Sequence, residues 1–171
     1  MSDGAAIAVI VFVAALLQVT IVAGLDILGG TPDLLLLVLI AIGLLRGAVA
    51  GAIAGFCGGL LVDVLTLDTL GVTSLTLALA GYWTGRYGET TGRDRAHAPL
   101  LAVVVMSILV AIFGFALHFL IGEEVSARRV VETMLPTVGL NLLLAAPVFA
   151  LCRRFLRPFA LSDRTAEVQV G

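Results

Sequence analysis

The sequence lacks lysine altogether, and charged residues of any kind make up only 13% of its 171 positions. Its formal net charge is −2, and its arginines do not form a long basic run. Binding to nucleic-acid phosphates requires cations clustered on a water-exposed face. The sequence therefore predicts no nucleic-acid partner.

Residues that build metal sites, disulfides and catalytic centres are also scarce, with two cysteines and two histidines. Cys57 and Cys152 lie in or at the end of apolar segments, without a CxxC or Cys/His spacing, which is typical of inert thiols. A hydrolase needs a nucleophile with a base and an orienting group, and isolated histidines (His97, His118) among scattered carboxylates do not supply one. We expect no enzymatic activity, no metal and no cofactor.

Apolar surface is what the chain has in abundance. Hydrophobic residues make up 60% of it and the mean hydropathy is +1.14, more than a soluble domain of this size could bury. The residues before the first apolar stretch include Asp3 and no cation, which argues against a cleaved secretory signal. We predict an all-α integral membrane protein, with a single transmembrane domain over residues 1–157 and a short cytoplasmic tail over 158–171.

Short polar segments divide the sequence into helices at about residues 5–25, 33–45, 47–64, 71–87, 98–121 and 130–152. The second helix reaches only ~20 Å, against a hydrocarbon core of ~30 Å. Either Arg46-Gly47 is a turn between two short helices, or residues 33–64 form one tilted helix that buries Arg46. Because burying a guanidinium at a helix centre costs at least ~2.5 kcal/mol, we predict six membrane passes rather than five.

The arginines predict the orientation of the bundle, because cytoplasmic loops are rich in cations. With six passes, Arg128 and Arg129 lie on the outer side and both termini are cytoplasmic. With five passes only the C-terminus is fixed inside. In the six-pass model the cytoplasmic arginines are Arg46, Arg86, Arg93, Arg95, Arg153, Arg154, Arg157 and Arg164, and the acidic residues expected to be solvated on the outer face are Asp26, Asp33, Asp63 and Asp68.

The third segment, RGAVAGAIAGFCGGLLVD, carries a glycine ladder, which we define as Gly43, Gly47, Gly51, Gly55 and Gly59. Glycines at this spacing remove side chains from one helix face, so that another backbone can approach closely. The pattern fits a contact with the second or fourth helix, or a docking face for a partner's transmembrane helix. The charged residues at its ends fit anchoring at the membrane surface better than an ion pathway.

The last apolar segment combines Pro136 and Pro147, which favour kinks, with Asn141. An amide in lipid must find a partner in the bundle, so we predict that Asn141 joins helices. The alternative is that Asn141 and His118 line a ligand cavity.

The run PDLLLLVLIAIGLLRGAVAGAIAGFCGGLLVDVLTLDTLGVTSLTLALAGYWTGR resembles the rod shape-determining protein MreD family. NLLLAAPVFAL, near the C-terminus, is similar to that family's final helix. The matching features, in order, are Pro32-Asp33, Arg46-Gly47 with the glycine ladder, Asp63, Leu70-Gly71, Gly81-Tyr82 with Gly85, and Asn141 with Pro147.

This resemblance implies a non-enzymatic scaffold of the bacterial cell-elongation complex in the cytoplasmic (inner) membrane. The implied partners, besides membrane lipid, are an MreC-like single-span protein, MreB, RodA and a class B penicillin-binding protein, so that the complex positions peptidoglycan synthesis and maintains cell shape. The implied fold resembles the substrate-binding subunits of energy-coupling-factor transporters. Residues expected to pack helices or bind the partner are Gly47, Gly51, Gly55, Gly59, Gly81 and Gly85.

A second interpretation is a small-molecule-binding membrane protein, either a vitamin-capture transporter subunit or a small transporter. It predicts a polar cavity in the outer half of the bundle.

Overall fold

A computed structural model of the protein describes residues 3–24, 29–91, 98–122 and 126–168, with side chains described as far as Leu156. Within these residues it contains six α-helices, which confirms the all-α class and the six-helix arrangement. The helices are α1 (Asp3–Thr20), α2 (Leu34–Arg46), α3 (Ala48–Thr66), α4 (Val72–Thr91), α5 (Ala98–Ile121) and α6 (Ala127–Val168), and a short 3-10 turn (Val22–Gly24) follows α1.

Helix α2 is the centre of the bundle. Its sequence, LLLLVLIAIGLLR, is apolar on every side, and a helix of that kind is stable only when neighbours surround it. It contacts each of the other five helices, and every residue from Leu35 to Leu44 is buried. The short second helix predicted from the sequence is therefore the core of the fold.

The chain breaks between α2 and α3 at Gly47, which has φ 97° and ψ −179°. A left-handed φ of this kind favours glycine, because a Cβ would clash with the backbone. The predicted turn at Arg46-Gly47 is confirmed, and the alternative of one continuous helix over residues 33–64 is wrong.

Among the residues that the structure describes, three helical segments have the length and apolar composition needed to cross a membrane, namely Ala48–Thr66, Pro99–Ile121 and Ala127–Leu156. Shorter apolar helices lie over Gly4–Thr20 and Leu34–Arg46. The number of passes and the side on which each terminus lies stay predictions.

The boundaries of α5 are those the sequence predicts, but α6 continues to Val168, so its predicted end near residue 152 was wrong. Arg, Leu, Ala and Glu favour helix whether the surroundings are lipid or water. The end of an apolar run therefore does not mark the end of a helix.

Candidate functional site: a glycine seam with capped ends

Helices α3 and α4 pack antiparallel along a seam of glycines in which backbone touches backbone. Gly51 and Gly81 face each other, and a Cβ added to either would lie less than 3.0 Å from the backbone carbonyl of the other. Such a contact is shorter than real Cβ atoms make, so only glycine fits at both positions. The remaining contacts of the glycine seam pair Gly55 with Leu77, Gly59 with Ser74, and Gly85 with Ala48.

Helix α2 closes the seam from the core side. A Cβ on Gly43 would lie 3.0 Å from the carbonyl oxygen of Gly81 and 3.1 Å from the amide nitrogen of Gly85. Gly47 has a different use, since it provides the positive φ between α2 and α3. The glycine ladder thus faces the fourth helix of the same chain, and Gly51, Gly55 and Gly59 are buried there.

One end of the glycine seam is capped by Asp63, from the last turns of α3. The side chain is fully buried, and its Oδ2 accepts hydrogen bonds from the amide of Gly71 (2.8 Å) and the hydroxyl of Ser74 (3.1 Å). Within the described part of the chain, its Oδ1 has no hydrogen-bond partner. The expectation of a solvated Asp63 was wrong. The first turn of α4 has amides without intrahelical acceptors, and the carboxylate turns inward to satisfy them.

At the other end of the seam, an acidic side chain of α4 caps the start of α3. Oε1 of Glu89, in the last turns of α4, accepts a hydrogen bond from the amide of Ala48, the first residue of α3 (2.9 Å). Oε2 of the same carboxylate pairs with Arg86 at 3.3 Å. Each of the two helices therefore supplies an acidic side chain to the other's N-terminus, where negative charge is stabilising.

The start of α2 is held by polar side chains from α1 and α6 and by its own N-cap residue, Asp33. Gln18 of α1 accepts from the amides of Leu34 (2.8 Å) and Leu35 (3.4 Å), and Asp33 Oδ1 accepts from Leu36 (2.9 Å). The amide of Asp33 itself donates to Asn141 Oδ1 of α6, at 2.7 Å. The free amides of the α2 N-terminus are thereby satisfied without water, as apolar surroundings require.

Asn141 also joins α6 to α5. It is fully buried, and its Nδ2 donates to the hydroxyl of Ser107 at 3.0 Å. A single amide thus links α2, α5 and α6.

A cavity of about 330 Å³ lies beside this amide, at the opposite end of α2 from Arg46. Its polar lining includes Asp33, Ser107, Thr133 and Asn141. His118 does not line it, although it is half-buried on the same helix as Ser107. Because the amide of Asn141 already bonds to its neighbours in the bundle, the cavity has fewer groups to offer a ligand than its lining suggests.

No group of three metal-binding side chains is found in the described residues. The protein-family comparison matches residues 4–159 to the family model described as rod shape-determining protein MreD. The chain belongs to the MreD family. It is therefore a membrane protein with a role in determining rod shape. Comparisons with curated proteins and with solved structures found no match, so the resemblance to energy-coupling-factor subunits stays a prediction.

The other motif residues of this MreD family member lie at the ends of helices or within them. Pro32 is buried, and its carbonyl accepts a hydrogen bond from Gln18 Nε2 (3.3 Å). Arg46 donates to the carbonyl of Leu156, at 3.1 Å, and so ties the end of α2 to α6. Gly71 has φ 100° and immediately precedes α4. Pro147 lies exposed within α6, which continues past it.

Sequence reasoning missed Gln18, Ser74, Glu89 and Ser107. Gln18 had a usable signal, because it is an amide within the otherwise apolar stretch of α1. An amide in such a run needs a partner in the bundle. The other three have weaker local signals, since a serine in a helix can satisfy its hydroxyl with the carbonyl of the preceding turn and glutamate occurs in helices without any capping role.

Several sequence predictions fall outside the described residues. Asp26, Arg93, Arg95 and His97 are among them, as are the side chains of Arg157 and Arg164. Asp68, by contrast, is exposed, as the sequence predicts.

Proposed function

We propose that this protein is a non-enzymatic scaffold of the cell-elongation complex in the bacterial inner membrane, with both termini cytoplasmic. The glycine seam holds the bundle rigid, and a separate face binds the single transmembrane helix of an MreC-like partner. That partner's extracytoplasmic part then reaches RodA and the class B penicillin-binding protein, while MreB acts on the cytoplasmic side. Binding of this kind positions peptidoglycan synthesis without any chemical step.

The observation that carries this proposal is an apolar groove between α1 and α3, with a volume of about 640 Å³. Small residues line it on both sides, including Gly4 and Ala8 of α1 and Ala50 and Ala54 of α3. In lipid, helices associate through close packing at small residues rather than through a hydrophobic drive. Since α4 occupies the glycine ladder, this groove offers a separate surface that suits a further helix.

The length of the groove also fits a helix. Along α3 it extends from Ala50 to Leu61, which at ~1.5 Å per residue is roughly 17 Å. This corresponds to about three turns of a partner helix, enough to fix its position along the groove.

A native cysteine, Cys57, allows this surface to be tested by chemical labelling. Cys57 is exposed and lines the groove, whereas Cys152 is buried. Labelling membranes with a benzophenone maleimide should therefore modify Cys57. Upon irradiation we expect a covalent adduct with the MreC-like partner, detected by mass shift and peptide mapping to the partner's transmembrane helix.

A matched control moves the label away from the groove. Val64 is exposed on the same helix but does not line the groove. In the double variant Cys57→Ser, Val64→Cys the partner adduct should disappear. Equal adduct from both positions, or an adduct mapping to lipid alone, would contradict the proposed docking surface.

A further inference from the structure

A second groove lies between the start of α5 and the middle of α6, with a volume of about 620 Å³. Its floor is apolar and includes Leu100, Ala146, Phe149 and Ala150. At one end of it stand two neighbouring arginines, Arg153 and Arg154. The groove therefore combines an apolar channel with a doubly cationic mouth.

The two arginines of this groove differ from others in the chain. Arg86 pairs with Glu89 and Arg128 pairs with Glu132. Arg153 and Arg154 are exposed and form no ion pair with any of the residues the structure describes. Their positive charge is available to an anion from outside the chain.

The first turn of α5 adds to this charge. Pro99 and Leu100, at the beginning of the helix, line the groove. A helix N-terminus carries partial positive charge and unsatisfied amides, and α5 is 24 residues long. At the mouth of the groove, two guanidinium groups thus lie close to the positive N-terminal end of α5.

The dimensions of the groove match one leaflet of a bilayer. From Ala145 to Arg154 the helix rises roughly 13 Å, and half of a hydrocarbon core is about 15 Å. With the arginines at the level of the headgroups, the alanines lie at the depth of acyl chains. A free phosphate ion would satisfy the arginines but leave the apolar channel empty.

We propose that this groove is a binding site for an anionic phospholipid. The phosphate lies against Arg153 and Arg154, and an acyl chain lies along the apolar floor toward Ala145. The site is formed by different helices from the α1–α3 groove, so it does not depend on the scaffold proposal.

The test is retention of phosphatidylglycerol by the purified full-length protein, measured by native mass spectrometry after exchange from mixed phosphatidylglycerol and phosphatidylcholine micelles. The wild-type protein should retain phosphatidylglycerol preferentially. The double variant Arg153→Ala, Arg154→Ala should bind it roughly tenfold or more weakly, since each interfacial arginine contributes to attraction of anionic lipid. Both residues are exposed, so elution of the variant as a single folded species is the accompanying check.

The matched control uses the same chemistry at the other end of the same helix. The double variant Arg128→Ala, Arg129→Ala removes an equal charge and should retain phosphatidylglycerol as the wild type does. Equal loss in both double variants would show unspecific charge attraction and overturn the site. Undiminished retention in the Arg153, Arg154 double variant would overturn it as well.

A third variant separates the lipid from a free anion. Ala146→Trp fills the apolar floor and keeps both arginines, so it should also lose phosphatidylglycerol. Wild-type retention in Ala146→Trp, or displacement of the lipid by millimolar inorganic phosphate, would show that only the arginines matter and would contradict a phospholipid site.

Discussion

Replacing Gly51 with leucine is expected to lower the free energy of unfolding by about 3 kcal/mol, the upper range for overpacking a well-packed core. A Cβ at this position meets the carbonyl of Gly81 at less than 3.0 Å, and the atoms in its way belong to a backbone. Neither helix can yield by rotating a side chain. Thermal unfolding in detergent, followed by the fluorescence of Trp83 on α4, measures the loss.

Gly139 gives the control for this substitution. It lies in α6 with nothing within 4 Å of an added Cβ. Gly139→Leu should leave stability unchanged or raise it slightly, because leucine favours helix more than glycine does. If Gly51→Leu unfolds at the same temperature as Gly139→Leu, close contact at the glycine seam does not stabilise the bundle.

The second large effect is expected from Asp63→Ala. The substitution leaves the half-buried amide of Gly71 and the buried hydroxyl of Ser74 without their acceptor. Each unpaired buried donor costs about 1–3 kcal/mol, so we expect a loss of about 3 kcal/mol in the free energy of unfolding. Hydrogen exchange at the start of α4 should increase in the same variant.

Two further variants test the reason for that loss. Asp68 lies in the turn between α3 and α4, is exposed, and accepts only from the neighbouring amide of Thr69 (2.8 Å) within the described residues. Asp68→Ala should therefore cost far less than Asp63→Ala. Asp63→Asn keeps an oxygen acceptor and should recover part of the stability. If Asp68→Ala were as harmful as Asp63→Ala, burial of the cap would not be the cause.

The hydropathy pattern and the glycines were enough to predict the helices of the fold, the break after α2 and the close packing of α3. Apolar runs between polar segments predicted six helices, and Arg46-Gly47 marked a break because a continuous helix would bury an arginine. The positive φ of Gly47, which also disfavours a continuous helix, is seen only in the structure. The spacing of the glycine ladder indicated close packing of α3. It could not choose between α4 and another molecule, since a face of small residues suits either.

The polar contacts were less predictable because they join residues far apart in the sequence. Asn141 could be recognised as a residue in need of a partner, but Ser107 and the amide of Asp33 become its partners only through the packing of α2, α5 and α6. Asp63 was misplaced for a related reason. Its position at the end of an apolar run indicates the membrane surface, whereas its burial depends on the turn that leads into α4.

These contacts bear directly on the proposed scaffold. The seam, its two carboxylate caps and the cluster at the start of α2 occupy the interior of the bundle, so they keep its faces in fixed relative positions. A rigid face costs less conformational entropy when a partner binds. A protein that acts by holding others in place needs that rigidity more than it needs reactive groups.

In this account a structural seam is separate from a docking groove, and the most direct test of that separation is co-purification of the proposed MreC-like partner with a variant whose groove is blocked. Cys57→Trp fills the α1–α3 groove, and Leu60→Trp adds a similar side chain at an exposed position outside it. Both variants should unfold at the wild-type temperature, but only Cys57→Trp should lose the partner. Wild-type recovery of the partner with a stable Cys57→Trp protein would contradict the account.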